Sequence, residues 1–200
     1  MKPAVHDSLL IAASRVDPRA FAGVFDRHAP TLLQYLVRRV GISEAEGLLG
    51  ELFRIAFESR SRFDLSRTDA RPWLYGIAAN LVMKHHRGRA RHDRALGRLA
   101  LMRPGHSEVS FDNRVVNADA NSQLLKAVVE AIDELPNIDR EAVLLYAWQG
   151  LSYAEIAEAL EIPTGTVRSR LSRVRLMLRE LANTFGEEPD TTHPIEPREA

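Results

Sequence analysis

Arginine and hydroxyl side chains recur near the C-terminal end of the chain at a spacing suited to reading DNA. Five arginines and one glutamate fall within residues 168–180. With Val167, Leu171 and Val174 turned inward, the arginines and serines occupy the outer face of a helix. A helix that lies in the major groove uses these groups to contact base edges and phosphates. The alternative interpretation is that the arginines form only a solvent-exposed charged face. The predicted DNA-reading residues are Thr164, Thr166, Arg168, Ser169, Ser172, Arg173 and Arg175.

The residues before this helix predict a helix-turn-helix. Gly150 ends one helical pattern, and Ser152 with Glu155 forms a capping box that opens a short helix. Pro163 ends the short helix because a residue before proline is disfavoured in the helical region. Thr164 is then expected to cap the reading helix. Two helices joined by so short a turn are typical of DNA-binding domains.

A second group of basic and aromatic residues predicts a surface for single-stranded or melted DNA. Residues 84–98 hold a block of lysine and arginine, and a polar loop over 59–71 precedes it. Bases stack on aromatic rings and cations neutralise phosphates at such surfaces. Trp73 is either part of the core or a base contact, and Asn80 has few structural reasons to lie within a helix. The predicted contacts are Arg62, Phe63, Arg71, Trp73, Asn80, Lys84 and Arg87.

Composition argues against several classes of protein. The 200 residues contain no cysteine, which excludes disulfides and cysteine-based metal sites and suits the cytoplasm. No run of residues is apolar enough to span a membrane, and the N-terminus lacks the features of a signal peptide. His85 and His86 are adjacent and therefore face different ways on a helix. With no nucleophile–base pair or phosphate loop, we expect no enzyme activity, catalytic residue, metal or cofactor.

Changes in composition along the chain suggest two helical units. Helical periodicity is strong over 21–57, 74–87 and 124–178, and Ser43 with Glu46 looks like another capping box. Proline, glycine and polar residues interrupt the pattern after residue 97. We predict a flexible N-terminus over 1–18, a helical domain over 19–96, a linker over 97–121, a helix-turn-helix domain over 122–182 and a disordered acidic tail over 183–200.

Four motifs in this order resemble the extracytoplasmic-function (ECF) group of bacterial RNA polymerase sigma factors. They are AEGLLGELF at 45–53, WLYGIAAN at 73–80, LPNIDREAVLL at 135–145, and the stretch from GLSY at 150–153 through GTVRSR at 165–170. Each motif alone is modest, but their combined order and spacing are specific. The resemblance covers residues 20–94 and 122–181 and implies an all-α fold of two small helical domains, the second a four-helix domain.

The resemblance also implies partners and roles. RNA polymerase core, promoter DNA and an anti-sigma factor would be the partners, with no membrane contact and no small-molecule substrate. The loop at 61–71 and the helix bearing Asn80 would capture the melted proximal promoter element, and the helix-turn-helix would read the distal element. The residues that match the core-binding helix are Glu44, Glu46, Leu48, Leu49, Glu51, Leu52 and Phe53.

One departure from the family pattern keeps two other hypotheses open. Gly47 and Gly50 replace an acidic residue and a glutamine that the family usually carries on the core-binding helix. A sigma-like decoy that binds only an anti-sigma factor would tolerate this loss, but it would not need the arginine face. A stand-alone helix-turn-helix regulator would leave the N-terminal half unexplained, and no dimerisation segment is apparent.

Overall fold

The computed structural model describes residues 6–99 and 120–186, and within them it contains α-helices and short 3-10 helices but no strands. In the N-terminal half these are α1 (Asp7–Ser14), a 3-10 helix (Pro18–Phe21), α2 (Ala22–Val40), α3 (Ile42–Ser59), a 3-10 helix (Arg60–Arg62) and α4 (Arg71–Leu99). The C-terminal half contains α5 (Ala120–Asp133), α6 (Asn137–Ala147), α7 (Tyr153–Ala159) and α8 (Thr164–Gly186). The predicted all-α fold is confirmed.

Helices α2, α3 and α4 form the N-terminal bundle around a closely packed apolar core. Val24, Leu36, Leu52 and Leu74 are each 0% exposed. The turn between α2 and α3 is the single residue Gly41, whose φ of 85° and ψ of 164° suit only glycine. Gly41 itself occupies the cap position of α3. The predicted capping box of Ser43 and Glu46 is therefore wrong, because both residues lie inside the helix.

The predicted flexibility of residues 1–18 is wrong for residues 7–14, which form helix α1. Ile11 and Ser14 of α1 are fully buried, and Phe21 packs edge-on against Phe57 with ring centroids 5.4 Å apart. The sequence signal was weak because α1 is only eight residues long. A helix of that length is marginal alone and is stabilised by tertiary contacts. Residues 1–5 lie outside the described residues.

In the C-terminal bundle, the predicted helix-turn-helix is formed by α7 and α8. Both hydrogen bonds of the Ser152–Glu155 capping box are present. Glu161 is left-handed (φ 54°), and the Ile162 N–H donates to the Ala157 carbonyl at 3.0 Å. This Schellman arrangement ends α7 one turn before the proline would. Helix α8 starts at Thr164, so Thr164 occupies the first helical position and not the predicted cap.

Two predicted boundaries shift. Helix α4 continues to Leu99 and α5 begins at Ala120, so the ends of the predicted linker at 97–121 are helical. Helix α8 likewise continues to Gly186, past the predicted start of the tail at residue 183. The remainder of the linker and of the tail lies outside the described residues. Over the described ranges, no helix combines the length and the apolarity needed to cross a bilayer.

The two bundles pack against each other through a buried polar cluster. The Arg39 guanidinium on α2 donates to Glu141 Oε1 on α6 at 2.6 and 3.1 Å, and the Tyr35 hydroxyl donates to Glu141 Oε2. The Arg39 and Glu141 side chains are only 1% and 0% exposed. Burial and the adjacent Glu141 carboxylate raise the pKa of Tyr35 well above its usual value, so its hydroxyl remains a donor.

Close backbone contact completes this interface. A Cβ atom on Gly76 of α4 would lie 2.7 Å from the Ala159 carbonyl oxygen at the end of α7. Beside it, the Tyr75 hydroxyl donates to Gln149 Oε1 at 2.6 Å. One apolar core therefore runs through both bundles. The sequence alone left this interdomain arrangement open.

Acid is expected to weaken this packing through His86 on α4. Burial, followed by the charges of Arg39, His85, Arg140 and Arg89, lowers the pKa of His86 from 6.5 to about 4. The free energy of unfolding is therefore highest above pH 6.5 and falls as the pH drops toward 4. The shift corresponds to about 3.4 kcal/mol, which the partial exposure of His86 reduces to about 2–3 kcal/mol. We expect the melting temperature of the His86→Gln variant to depend less on pH over this range than that of the wild type. An unchanged slope would contradict this, and exposed His92→Gln is the matched control.

Candidate nucleic-acid interfaces

The outward face of α8 carries the predicted distal-element residues in accessible positions. Val167, Leu171 and Val174 are at most 4% exposed and anchor the helix to α7 and the core. Because these three side chains point inward, the opposite side of α8 is exposed to solvent, and it carries Arg168, Ser169, Ser172 and Arg173. The Ser169 hydroxyl donates to the Thr166 carbonyl at 3.0 Å, which leaves its lone pairs available. This face offers short hydroxyls and guanidinium groups at the N-terminal half of one helix, as groove reading requires.

The other three predicted residues of this face, Arg175, Thr164 and Thr166, differ in their surroundings. The Arg175 guanidinium lies over the rings of Tyr146 and Tyr153, 5.1 and 5.8 Å from their centroids. These cation–π contacts connect α8 to α6 and α7. The sequence pattern had grouped Arg175 with the DNA-reading residues. Thr164 is exposed, and Thr166 is partly buried.

On the N-terminal bundle, an exposed polar row runs along α4. Asn80, Lys84 and Arg87 are exposed and recur at helical spacing, so they share one side of the helix. Arg62 and Arg71 are also exposed at the two ends of the preceding loop. The Arg71 guanidinium pairs with Asp69 at 2.7 Å, and this pairing fixes its position beside the start of α4.

The structure separates the two aromatic residues of this region. Phe63 is only 5% exposed, so its predicted DNA contact is corrected to a supporting role in the core. Trp73 is partly buried and packs on Phe63 with ring centroids 5.1 Å apart. Trp73 therefore packs on the core and keeps part of its indole accessible, and its contact with a base stays a prediction.

Helix α3 divides its predicted polymerase-binding residues between two faces. Leu52 and Phe53 are 0% and 7% exposed and belong to the core of the protein itself, which corrects their prediction as contacts. Glu44 and Glu46 are exposed, Leu48 and Leu49 are partly buried, and Glu51 pairs with Arg54 at 2.7 Å. A Cβ atom on Gly47 or Gly50 would have no atom of another described element within 4 Å, so this face of α3 is open in the described part of the chain.

A buried polar cluster on α1 was not predicted from the sequence. Asp7 is 2% exposed and accepts hydrogen bonds from His28 at 2.8 Å, from the Ala70 N–H at 2.9 Å and from Arg27. Burial opposes the charged form, but these bonds and charges outweigh it and lower the pKa of Asp7 to about 2. A lone aspartate in a short N-terminal helix gives no pattern in sequence that would reveal these distant partners.

Two protein families and several known proteins match this chain. The Sigma-70 region 2 family matches residues 24–92, and the Sigma-70, region 4 family matches residues 125–178. The ECF RNA polymerase sigma factor SigW of Bacillus subtilis is 32% identical over 82% of this chain and 88% of its own length. The RNA polymerase sigma-H factor of Pseudomonas aeruginosa is 32% identical over 84% of this chain and 88% of its own.

Solved structures show the same fold at lower identity. The sigma factor RpoE of Bartonella quintana, solved in complex with the anti-sigma factor NepR, superposes with a TM-score of 0.60. That alignment has 22% identity and covers 82% of this chain and 96% of the other. CnrH, solved with the cytosolic domain of CnrY, gives a TM-score of 0.59 at 23% identity, covering 89% and 97%.

Proposed function

Because this chain belongs to the ECF group of RNA polymerase sigma factors, we propose that three of its surfaces divide the work of promoter recognition. As a sigma factor, the chain binds RNA polymerase core and directs promoter recognition and strand opening. The proposal assigns residues to these steps. Helix α3 binds core, the loop before α4 and the exposed row on α4 hold the melted proximal element, and α8 reads the duplex distal element.

The observation that supports this division best is the presence of two separate DNA-type surfaces on two bundles. The α8 face offers Arg168, Ser169, Ser172 and Arg173 to a groove, whereas the α4 row offers Asn80 and cations beside an accessible indole. The first set suits base edges of a duplex, and the second suits unstacked bases and a single backbone. A stand-alone regulator would need only the first surface.

For core binding we propose the open face of α3. Glu44 and Glu46 supply exposed negative charge, and the partly buried Leu48 and Leu49 supply apolar area. The absence of side chains at Gly47 and Gly50 allows close approach of a partner helix, which compensates for the polar contacts that glycine lacks. In this proposal the contact centres on Gly47 and Gly50, on the side of α3 away from Leu52, and the exposed parts of Leu48 and Leu49, which also pack against the bundle core, lie at its border.

The remaining assignments follow from the same family. We propose two functional units over residues 19–96 and 122–182, action in the cytoplasm where promoter DNA is found, and regulation by an anti-sigma factor. Support for that last partner comes from the two structural relatives, one with an anti-sigma factor and one with the domain of CnrY. The account assigns no covalent chemistry to the chain.

Base-edge contact by Arg173 gives a direct test of the assignment of α8. We expect Arg173→Ala to weaken binding to the promoter by about 1–3 kcal/mol while binding to scrambled DNA changes little, because a base contact is lost. Fluorescence anisotropy on both duplexes measures this difference. Arg179→Ala, also exposed on α8 but further along the helix, is the matched control. An unchanged preference in Arg173→Ala would remove Arg173 from the reading residues.

A further inference from the structure

The loop between the second 3-10 helix and α4 has little apolar material to fix its shape. Phe63 and Ala70 are buried at its two ends, and residues 64–68 between them are exposed. Its geometry therefore depends on polar bonds to neighbouring elements. This matters because Arg62 and Arg71 flank the loop and Trp73 follows it, so loop geometry sets their positions relative to Asn80.

Arg15, directly after α1, holds the beginning of the loop. The Nη2 nitrogen of its guanidinium lies within hydrogen-bond distance of three backbone carbonyl oxygens, those of Arg60 at 3.2 Å, Ser61 at 3.1 Å and Phe63 at 3.0 Å, and shares its two N–H donors among them. In return, the Arg60 side chain donates to the Ser14 carbonyl at 3.3 Å. A rigid planar donor that joins three carbonyls fixes the local path of the chain.

Asp7, at the start of α1, holds the end of the loop. Its backbone N–H donates to the Thr68 carbonyl at 3.1 Å, and its carboxylate Oδ2 accepts from the Ala70 N–H at 2.9 Å. The same Oδ2 lies 2.8 Å from His28 Nε2 on α2. One buried carboxylate thus joins α1, α2 and the residue immediately before α4.

The ligand atoms of Asp7, His28 and Asp69 lie within 4.8 Å of one another, a spacing that a metal ion could also use. Both carboxylates already form ion pairs with arginine side chains: Arg27 pairs with Asp7, and Arg71 pairs with Asp69 at 2.7 Å. The hydrogen bonds from His28 and the Ala70 N–H engage the remaining Asp7 oxygen, so both carboxylate oxygens of Asp7 already have partners. The chemistry of the cluster is therefore that of a structural clamp.

We propose that Asp7 and Arg15 are positioning residues for capture of the melted promoter element. By clamping the loop at both ends, α1 presents Arg62, Arg71 and Trp73 in one arrangement before a single strand arrives. This reduces the ordering cost of binding and narrows the choice of base. Helix α1 precedes residues 24–92, the part matched by the Sigma-70 region 2 family. The inference rests on the proposed role of this loop in holding the melted strand.

The test uses holoenzyme reconstituted from RNA polymerase core and the full chain. A randomised single-stranded DNA library is selected on it, and the bound pool is sequenced to give base preference. Affinity is then measured on one enriched strand. The variants are Asp7→Asn and Arg15→Ala, and the matched controls are Asp26→Asn and Arg19→Ala, whose side chains are exposed. Arg15 is itself exposed, so Arg15→Ala carries the test should Asp7→Asn fail to fold.

Both variants are expected to bind the enriched strand about tenfold more weakly than the wild type, the effect of losing one charge-assisted hydrogen bond. Their selected pools are also expected to show a weaker preference among the four bases. Core affinity and binding to the duplex distal element stay at the control level. Unchanged base preference, or an equal loss in all three measurements, would overturn the positioning role. If wild-type holoenzyme shows no base preference, the proposed role of the loop fails, and this inference fails with it.

Discussion

Glu141→Ala is expected to separate the two bundles of this protein without unfolding either one. The substitution leaves the Arg39 guanidinium, 1% exposed, without its charged partner. An uncompensated buried charge costs about 3–5 kcal/mol. Because Arg39 and Glu141 come from different bundles, separation returns Arg39 to water and avoids this cost. The chain has no cysteine, so single cysteines at Asp26 and Glu180 can be labelled cleanly for spectroscopic distance measurement.

We expect a longer and broader distance distribution in Glu141→Ala, with helical content unchanged by circular dichroism. Glu134→Ala is the matched control, since Glu134 is exposed just before α6 and makes no buried ion pair in the described residues. A distance distribution equal to that of the wild type, together with equal stability, would show that the buried pair does not hold the bundles together.

Gly76→Leu is expected to have a similar effect by steric means. The first added carbon would lie 2.7 Å from a backbone oxygen of α7, and a leucine adds three more carbons beyond it. Overpacking costs about 1–3 kcal/mol for smaller insertions, so this substitution should exceed the tolerance of the interface. Within α4, leucine is the better helix former, so the N-terminal bundle itself should not weaken.

The same labelled cysteines measure the outcome of Gly76→Leu. Gly50→Leu is the matched control because a Cβ atom at Gly50 would meet no atom of another described element within 4 Å. We expect separation only in Gly76→Leu. If both variants keep the wild-type distance, the close contact between α4 and α7 is not part of the arrangement in solution.

The helix-turn-helix could be predicted from sequence because its determinants are local. The Ser152–Glu155 capping box acts within one turn, and Val167 and Leu171 follow helical spacing. The bundle interface could not be predicted in this way. Arg39 and Glu141 are 102 residues apart, and each alone reads as an ordinary surface charge. The role of α1 was missed for the same reason, since Asp7 meets its partners only in the folded chain.

The exposure of most predicted site residues could be predicted from the sequence, but their contacts within the folded chain could not. Amphipathic patterns show which side of a helix faces solvent, and they placed Arg173 and Asn80 on exposed faces. They cannot show whether an exposed cation is already engaged, as Arg175 is with Tyr146 and Tyr153. A family motif likewise mixes contact residues with core residues, and for that reason Leu52 was predicted as a contact.

Transcription in vitro tests the central claim most directly. The protein is added to sigma-free RNA polymerase core with a fragment library of its own genome, and the products are sequenced. The account predicts discrete transcripts whose start sites share a proximal and a distal upstream element. Absence of specific transcripts, with no co-elution of the chain and core, would contradict it and would favour a decoy that binds an anti-sigma factor.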